Sequence, residues 1–179
     1  MKTDFFKYLG GPQDLSGYQR SYKLVFYKSF FERMSEDGEV AAAVLTTAFQ
    51  QYYISRKQAG LIPDANVDPI IENIETSSLE SIYGVIVRNP FDAISKQGYI
   101  YRTSKNGKDS FKLNETLKAQ LSQADIQNIL DIVDQKLTLY FSKIDPKQDT
   151  YTDYMSIFEK EEEWWPSKKE YDPGITKEK

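Results

Sequence analysis

The side chains available for chemistry are carboxylates, hydroxyls, lysines and arginines, because the 179-residue chain contains no histidine and no cysteine. Histidine-based triads, cysteine nucleophiles and zinc sites built on imidazole or thiolate are thereby excluded for these side chains. One carboxylate pattern has the form used by metal-dependent nucleases: Pro63-Asp64 with either Asp134-Gln135-Lys136 or Asp145-Pro146-Lys147. Such enzymes hold the carboxylates and lysine on adjacent strands, so that magnesium and a water meet the scissile phosphate. Here Asp134 and Lys136 fall inside a helical pattern and Asp145 at its end, so these positions read as solvated helix charge. Glu159, Glu161, Glu162 and Glu163 are close in sequence, but an exposed run of like charges repels itself and stays hydrated. No catalytic residue, metal ligand or cofactor is assigned.

The cations are more suggestive. Net charge is −4, yet residues 61–87 carry no basic and 5 acidic groups while residues 88–118 carry 7 basic and 3 acidic ones. A basic face can therefore exist under an acidic total. The stretch Gly98-Tyr-Ile-Tyr-Arg-Thr-Ser-Lys-Asn-Gly-Lys-Asp-Ser-Phe-Lys-Leu-Asn114 reads as two short strands around Asn106-Gly107, since both central residues of a type I′ turn need positive φ. Arg102, Lys105, Lys108 and Lys112 on these strands, Asn106 at the tip, and Arg88 and Lys96 just before them form the candidate nucleic-acid-binding set. Lysine and arginine would contact phosphates, and a hairpin spaces them along a groove. Tyr99 and Tyr101 have two readings, stacking on an exposed base or packing on the core. Two readings also stand for the hairpin, a DNA-contacting wing or a polar closure of a helical core.

The elements that must position these residues follow from periodicity. Tyr22, Val25, Phe26, Phe30 and Met34 recur at helical spacing within 18–34, ended by Ser35-Glu-Asp-Gly38. Val44, Leu45, Phe49, Tyr52 and Tyr53 define a second helix over 40–59. Residues 61–76, with two prolines and only acidic charges, read as a loop holding a short turn at 69–74. Ser77-Ser-Leu-Glu80 matches a capping box for a third helix over 79–88. At Asn89-Pro90 asparagine can cap, and proline can begin a further turn that ends at Gly98. After the hairpin, Ser122 caps a long amphipathic helix with Ile126, Ile129, Leu130, Val133, Leu137, Tyr140 and Phe141 on its apolar side.

A mainly α class with a small β-hairpin is thus expected, in the order of a winged-helix domain whose third helix lies in the major groove while the hairpin touches phosphates beside it. The connection of about eighteen acidic-rich residues between the second and third helices departs from the few-residue turn of a compact helix-turn-helix. The expected domains are a winged-helix-like unit over 1–145 and an acidic, aromatic tail or linker over 146–179. Trp164 and Trp165 form the kind of aromatic pair that anchors interfaces and are the candidate partner-binding residues. No apolar run is long enough to cross a bilayer, and the first residues lack the pattern of a signal peptide. A cytoplasmic protein is expected.

Tyr171-Asp-Pro-Gly-Ile-Thr-Lys177 resembles the segment that, in many bacterial McrBC-type restriction proteins, opens the domain ahead of the AAA+ GTPase motor. Ser21-Tyr-Lys-Leu-Val-Phe-Tyr-Lys28, Phe49-Gln-Gln-Tyr-Tyr-Ile-Ser-Arg56 and Asn89-Pro-Phe-Asp-Ala-Ile-Ser-Lys-Gln-Gly98 resemble a helical accessory domain of bacterial restriction and phage-defence proteins. The resemblance implies an N-terminal, non-catalytic module that reads duplex DNA, modified or not, or that holds subunits together beside a neighbouring AAA+ domain. The chain has no Gly-x-x-x-x-Gly-Lys-Ser/Thr phosphate loop, so the motor activity of such proteins is not expected in it.

Overall fold

The computed structural model describes residues 1–12 and 15–145. Its central element is helix α2, Tyr22–Arg33, in which eight of twelve residues are buried, including Tyr22, Leu24, Val25, Phe26, Tyr27, Phe30 and Phe31. The expected single apolar stripe holds, but Leu24, Tyr27 and Phe31 lie outside it and are buried too. A helix that is apolar nearly all round must be enclosed on several sides. Helices α3 (Ala42–Gln58) and α8 (Gln123–Ser142) pack against it. Phe111, from the sheet, meets the Phe26 ring edge-on at 5.3 Å.

Before α2 lies α1, Lys2–Gly10, which the sequence reading did not anticipate. Its Phe5 and Leu9, one turn apart, are buried, and Phe5 packs on Tyr27, Phe31 and Tyr99. The helix is also fastened from outside, because Lys2 reaches the Asp125 carboxylate at 2.7 Å. Helix α2 was expected from residue 18, yet it begins only at Tyr22. Leu15 (φ 59°) and Gly17 (φ 84°) take left-handed conformations that a helix cannot include.

The second helix was expected from Val40, but residues Glu39–Ala41 form a strand, β1. It pairs antiparallel with β3 (Lys108–Leu113), with Val40 opposite Phe111. Strand β2 (Ile100–Lys105) pairs with the other edge of β3, so the hairpin belongs to a three-stranded sheet of order β1-β3-β2. The described part of the chain is therefore mainly helical with a small antiparallel sheet.

The connection after α3 contains α4, Pro69–Glu72, capped by Asp68, whose side chain accepts the Ile70 N–H. Ile71 and Ile74 are fully buried, so this acidic segment folds onto the body. Helix α5, Leu79–Ile86, is capped by Ser78, whose hydroxyl accepts the Ser81 N–H. Ser77, expected in that role, donates instead to the Ile70 carbonyl, at 2.8 Å. The third helix also ends earlier than residue 88. Val87–Phe91 is a wide π-helical turn in which Asn89 leaves helical geometry (φ −142°, ψ 17°). Pro90 has no N–H to give and its ring crowds the preceding turn, so the regular ladder cannot pass. Helix α6 (Asp92–Ser95) follows, and the turn ends as expected at Gly98, which takes a positive φ.

Helix α7, Glu115–Gln120, capped by Asn114, was not anticipated either; it buries only Leu117. Ser122 caps α8 as expected and forms a full capping box with Asp125. Residues through Asp145 form one compact unit.

Candidate nucleic-acid interface

The hairpin turns through Asn106 (φ 53°) and Gly107 (φ 71°), the pair of positive φ angles that Asn-Gly predicts. Directly opposed residues of an antiparallel pair share a face. Ile100 and Leu113, Arg102 and Phe111, and Ser104 and Asp109 therefore form one face; Tyr101 and Lys112, Thr103 and Ser110, and Lys105 and Lys108 form the other. Ile100, Phe111 and Leu113 anchor the first face with no exposed surface. Phe111 meets Phe91 at 4.8 Å and Tyr83 at 6.2 Å between ring centroids.

These anchors sort the seven candidate residues. Arg102 is on the inner face, beyond Phe111, beside Tyr83 of α5 and Asp109. The Tyr83 hydroxyl donates to Asp109 at 2.5 Å. That bond first, and one from Ser104 second, hold the Asp109 carboxyl below its ordinary range. Lys112 is engaged by Glu115 at 2.5 Å, a contact that raises the lysine and lowers the carboxyl. Lys96 is paired with Asp92 at 2.7 Å, and Arg88, two-thirds exposed, stands 3.8 Å from Asp68. Lys105, Asn106 and Lys108 remain, grouped at the tip and exposed. Neither tip lysine has an ion pair among the described residues.

Of the two tyrosines, Tyr99 packs, with its ring 5.0 Å from Phe5 and 5.8 Å from Tyr8. Tyr101 is 37% exposed, on the outward face with Lys112. Helix α5 presents Leu79, Glu80 and Ser81 to solvent and carries no cation between 79 and 86.

The nuclease-like residues are not brought together. Asp64 is 3% exposed and surrounded by donors: the Ser21 N–H at 2.8 Å, the Ser21 hydroxyl at 2.6 Å, the Ala65 N–H at 2.6 Å and the Tyr140 hydroxyl. Tyr53 shares the Ser21 hydroxyl at 2.8 Å. Burial, and then the bond to Asp64, push the Tyr140 hydroxyl well above the ordinary tyrosine range. Asp134 is held by Lys28 at 2.8 Å and Asp145 by Arg56 at 2.5 Å. Lys136 turns elsewhere, donating to the Gly11 carbonyl at 3.1 Å. Among the described residues no three acidic side chains gather as a metal site. Lys147, Glu159, Glu161, Glu162, Glu163, Trp164 and Trp165 lie outside the described residues.

A second group of cations escaped the sequence reading. Arg20, at the entrance to α2, Lys23 within it and Lys136 from α8 converge around Tyr18 and Tyr22. Their spacing of 3 and 113 residues leaves no local signal. Comparison of the chain with known protein families, with curated proteins and with solved structures finds no match.

Proposed function

We propose that residues 1–145 form a winged-helix-like, non-catalytic module that binds duplex DNA, and that the hairpin leads the contact. The observation that carries the reading is the tip. Lys105 and Lys108 are direct cross-strand neighbours, both exposed and without a carboxylate among the described residues. Like charges placed opposite one another destabilise a strand pair. Nothing in the turn requires them, since Asn106 and Gly107 already supply its geometry. A polyanion passing the tip would turn that repulsion into attraction and release counterions from its phosphates. Arg102, three pairs nearer the core on the other face, and exposed Arg88 add positive charge toward α5.

The order α2-β1-α3-α5-β2-β3 and the sheet order β1-β3-β2 support a winged-helix arrangement. Absence of cations on α5 makes the reading one of backbone contact by the wing, not of base recognition by the third helix. In this reading the chain serves a bacterial restriction or phage-defence protein as its cytoplasmic accessory module, with any AAA+ motor in another domain or subunit. A second reading, a protein-assembly module without nucleic acid, is favoured by exposed Val44 on α3, Leu79 on α5 and Leu139 on α8.

Fluorescence-anisotropy titration with labelled duplex DNA, unmodified and cytosine-methylated, at two salt concentrations separates them. Binding that weakens steeply with salt is expected. No binding at low salt would overturn the DNA reading and turn attention to self-association, with Trp164 and Trp165 as the first residues to replace.

A further inference from the structure

A groove of about 470 Å³ lies between the segment leading into α2 and the wide turn at Pro90. Its walls carry Gln19, Arg20 and Lys23 on one side and Asn89 on the other, above Tyr18 and Tyr22. Arg20 lies over the Tyr22 ring at 5.3 Å. The Lys23 ammonium stands 4.7 Å from the centre of the Tyr18 ring and 5.2 Å from that of Tyr8, and Lys136 approaches Tyr18 at 5.6 Å. Arg20 and Lys23 thus line an aromatic-walled groove, with Lys136 near the Tyr18 ring but not in the lining.

Several other cations of the fold are paired. Lys2, Lys28, Arg56, Lys57, Arg88, Lys96 and Lys112 each stand by a carboxylate. Arg20, Lys23 and Lys136 have no ion pair among the described residues, and the groove lining contains no acidic side chain. Aromatic faces attract a cation but do not neutralise it. Burial first, and the nearness of Lys23 second, hold the Lys136 ammonium below the ordinary lysine range. Arg20 and Lys23 thus bring positive charge to the groove with no acidic side chain in its lining among the described residues. The π-helical turn that forms the opposite wall is a distortion often met at functional sites, and it places the Asn89 side chain on an exposed rim.

We propose that this groove binds a phosphate group, with Arg20 and Lys23 as its charged contacts and Asn89 and Gln19 as neutral hydrogen-bonding partners. Arginine offers a planar fork matched to phosphate oxygens, and lysine adds a point charge. The groove has room for a mononucleotide. A phosphate within a DNA strand presents the same chemistry. The site does not depend on the hairpin and stands or falls separately from it.

The test is a set of amide-resonance titrations of the full chain with inorganic phosphate, a deoxynucleoside monophosphate and a short duplex. These are repeated on Arg20→Gln/Lys23→Gln and on Lys105→Ala/Lys108→Ala, with melting curves to confirm folding. Saturable shifts centred on Gly17, Arg20, Asn89 and Ala93 with phosphate or the mononucleotide, weakened about tenfold or more in the first variant and unchanged in the second, are expected for a free ligand. The same shifts seen only with the duplex, and weakened by the first variant, assign the phosphate to a strand. Wild-type shifts elsewhere or nowhere for all three probes, or equal affinity in a folded first variant, would overturn the proposal. Loss of duplex binding in the tip variant alone, with no response of the groove to phosphate or the mononucleotide, would leave the hairpin reading intact and this one refuted.

Discussion

The Asp64 junction and the hairpin tip both look like motifs in the sequence, and the structure uses them in opposite ways. At the junction a single carboxylate receives donors from the entrance to α2, from its own loop and from α8. The buried Ser21 amide has this carboxylate as its acceptor, and the carboxylate joins three chain segments. At the tip two like charges face each other in solvent with no ion pair to compensate them among the described residues. A polar group that is buried and satisfied explains itself through stability; one that is exposed and mutually repelled points outward, to a partner. The Pro63-Asp64 resemblance to a nuclease dissolves on this criterion, because hydroxyls and amides occupy the Asp64 oxygens.

The largest expected effect breaks the junction. Asp64→Ala leaves the buried Ser21 amide without its acceptor and the Tyr140 hydroxyl with only the Gln19 carbonyl at 3.3 Å, and should cost about 3 to 5 kcal/mol. The denaturant midpoint should fall with the slope unchanged. A loss below about 1 kcal/mol would mean that the donors find other partners and that the junction is not a fastening point. Asp64→Asn, which keeps an acceptor oxygen, should cost less, and neither change should alter the salt dependence of DNA binding.

Next in size is the tip itself. Lys105→Ala/Lys108→Ala should weaken duplex binding about tenfold and make the logarithmic salt dependence shallower by about 2. Its melting temperature should stay level or rise, because a repulsive cross-strand pair has been removed. A clear fall in melting temperature would move the tip into the structural class with Asp64.

A smaller effect concerns pH. The bond from Lys2, followed by those from Ser122, draws the Asp125 carboxyl down to about 2. Its folded-state value lies below the unfolded one of about 3.9, so its contribution is complete above that pH and is lost as pH falls toward the folded value. Thermal melts between neutral and strongly acidic pH should show this loss in the wild type. Asp125→Asn should be less stable at neutral pH and converge on the wild type in acid, while parallel curves would remove Asp125 from the account.

The smallest expected effect sharpens the contrast within the hairpin. Lys112 is already engaged by Glu115, so Lys112→Ala should change DNA affinity by less than about threefold, since an exposed pair contributes little. A loss as large as that of the tip variant would show that Glu115 releases the lysine to the nucleic acid and would enlarge the interface toward the core.

Legibility in the sequence followed the range of the interactions. The Asn106-Gly107 turn was readable because positive φ is a property of the residues themselves. Helix α8 was readable because Ser122 and Asp125 cap it three residues apart and its apolar side repeats every turn. Strand β1 was not, since three residues have no period and Val40 owes its conformation to Phe111, 71 positions later. Helix α1 was missed for a related reason: Phe5 and Leu9 are only two positions on one face, and their burial depends on Tyr27, Phe31 and Tyr99. Among candidate site residues, the sequence gathered seven into one basic stretch, while only the fold separated those engaged by Asp92, Glu115 and Asp68 from Lys105 and Lys108 at the tip.

By itself, then, the sequence determined the element types of the long helices and the hairpin, the absence of imidazole and thiol chemistry, and the place where basic residues concentrate. These rest on contacts within a few residues, on backbone preference and on composition. The tertiary structure alone decided which charges are neutralised, that Asp64 is a buried joint, that a third strand completes the sheet, and that Arg20 and Lys23 line a groove beside Asn89. Those outcomes depend on pairings between segments far apart in the chain, where burial sets the cost of every unpaired polar group and no local pattern records the partner.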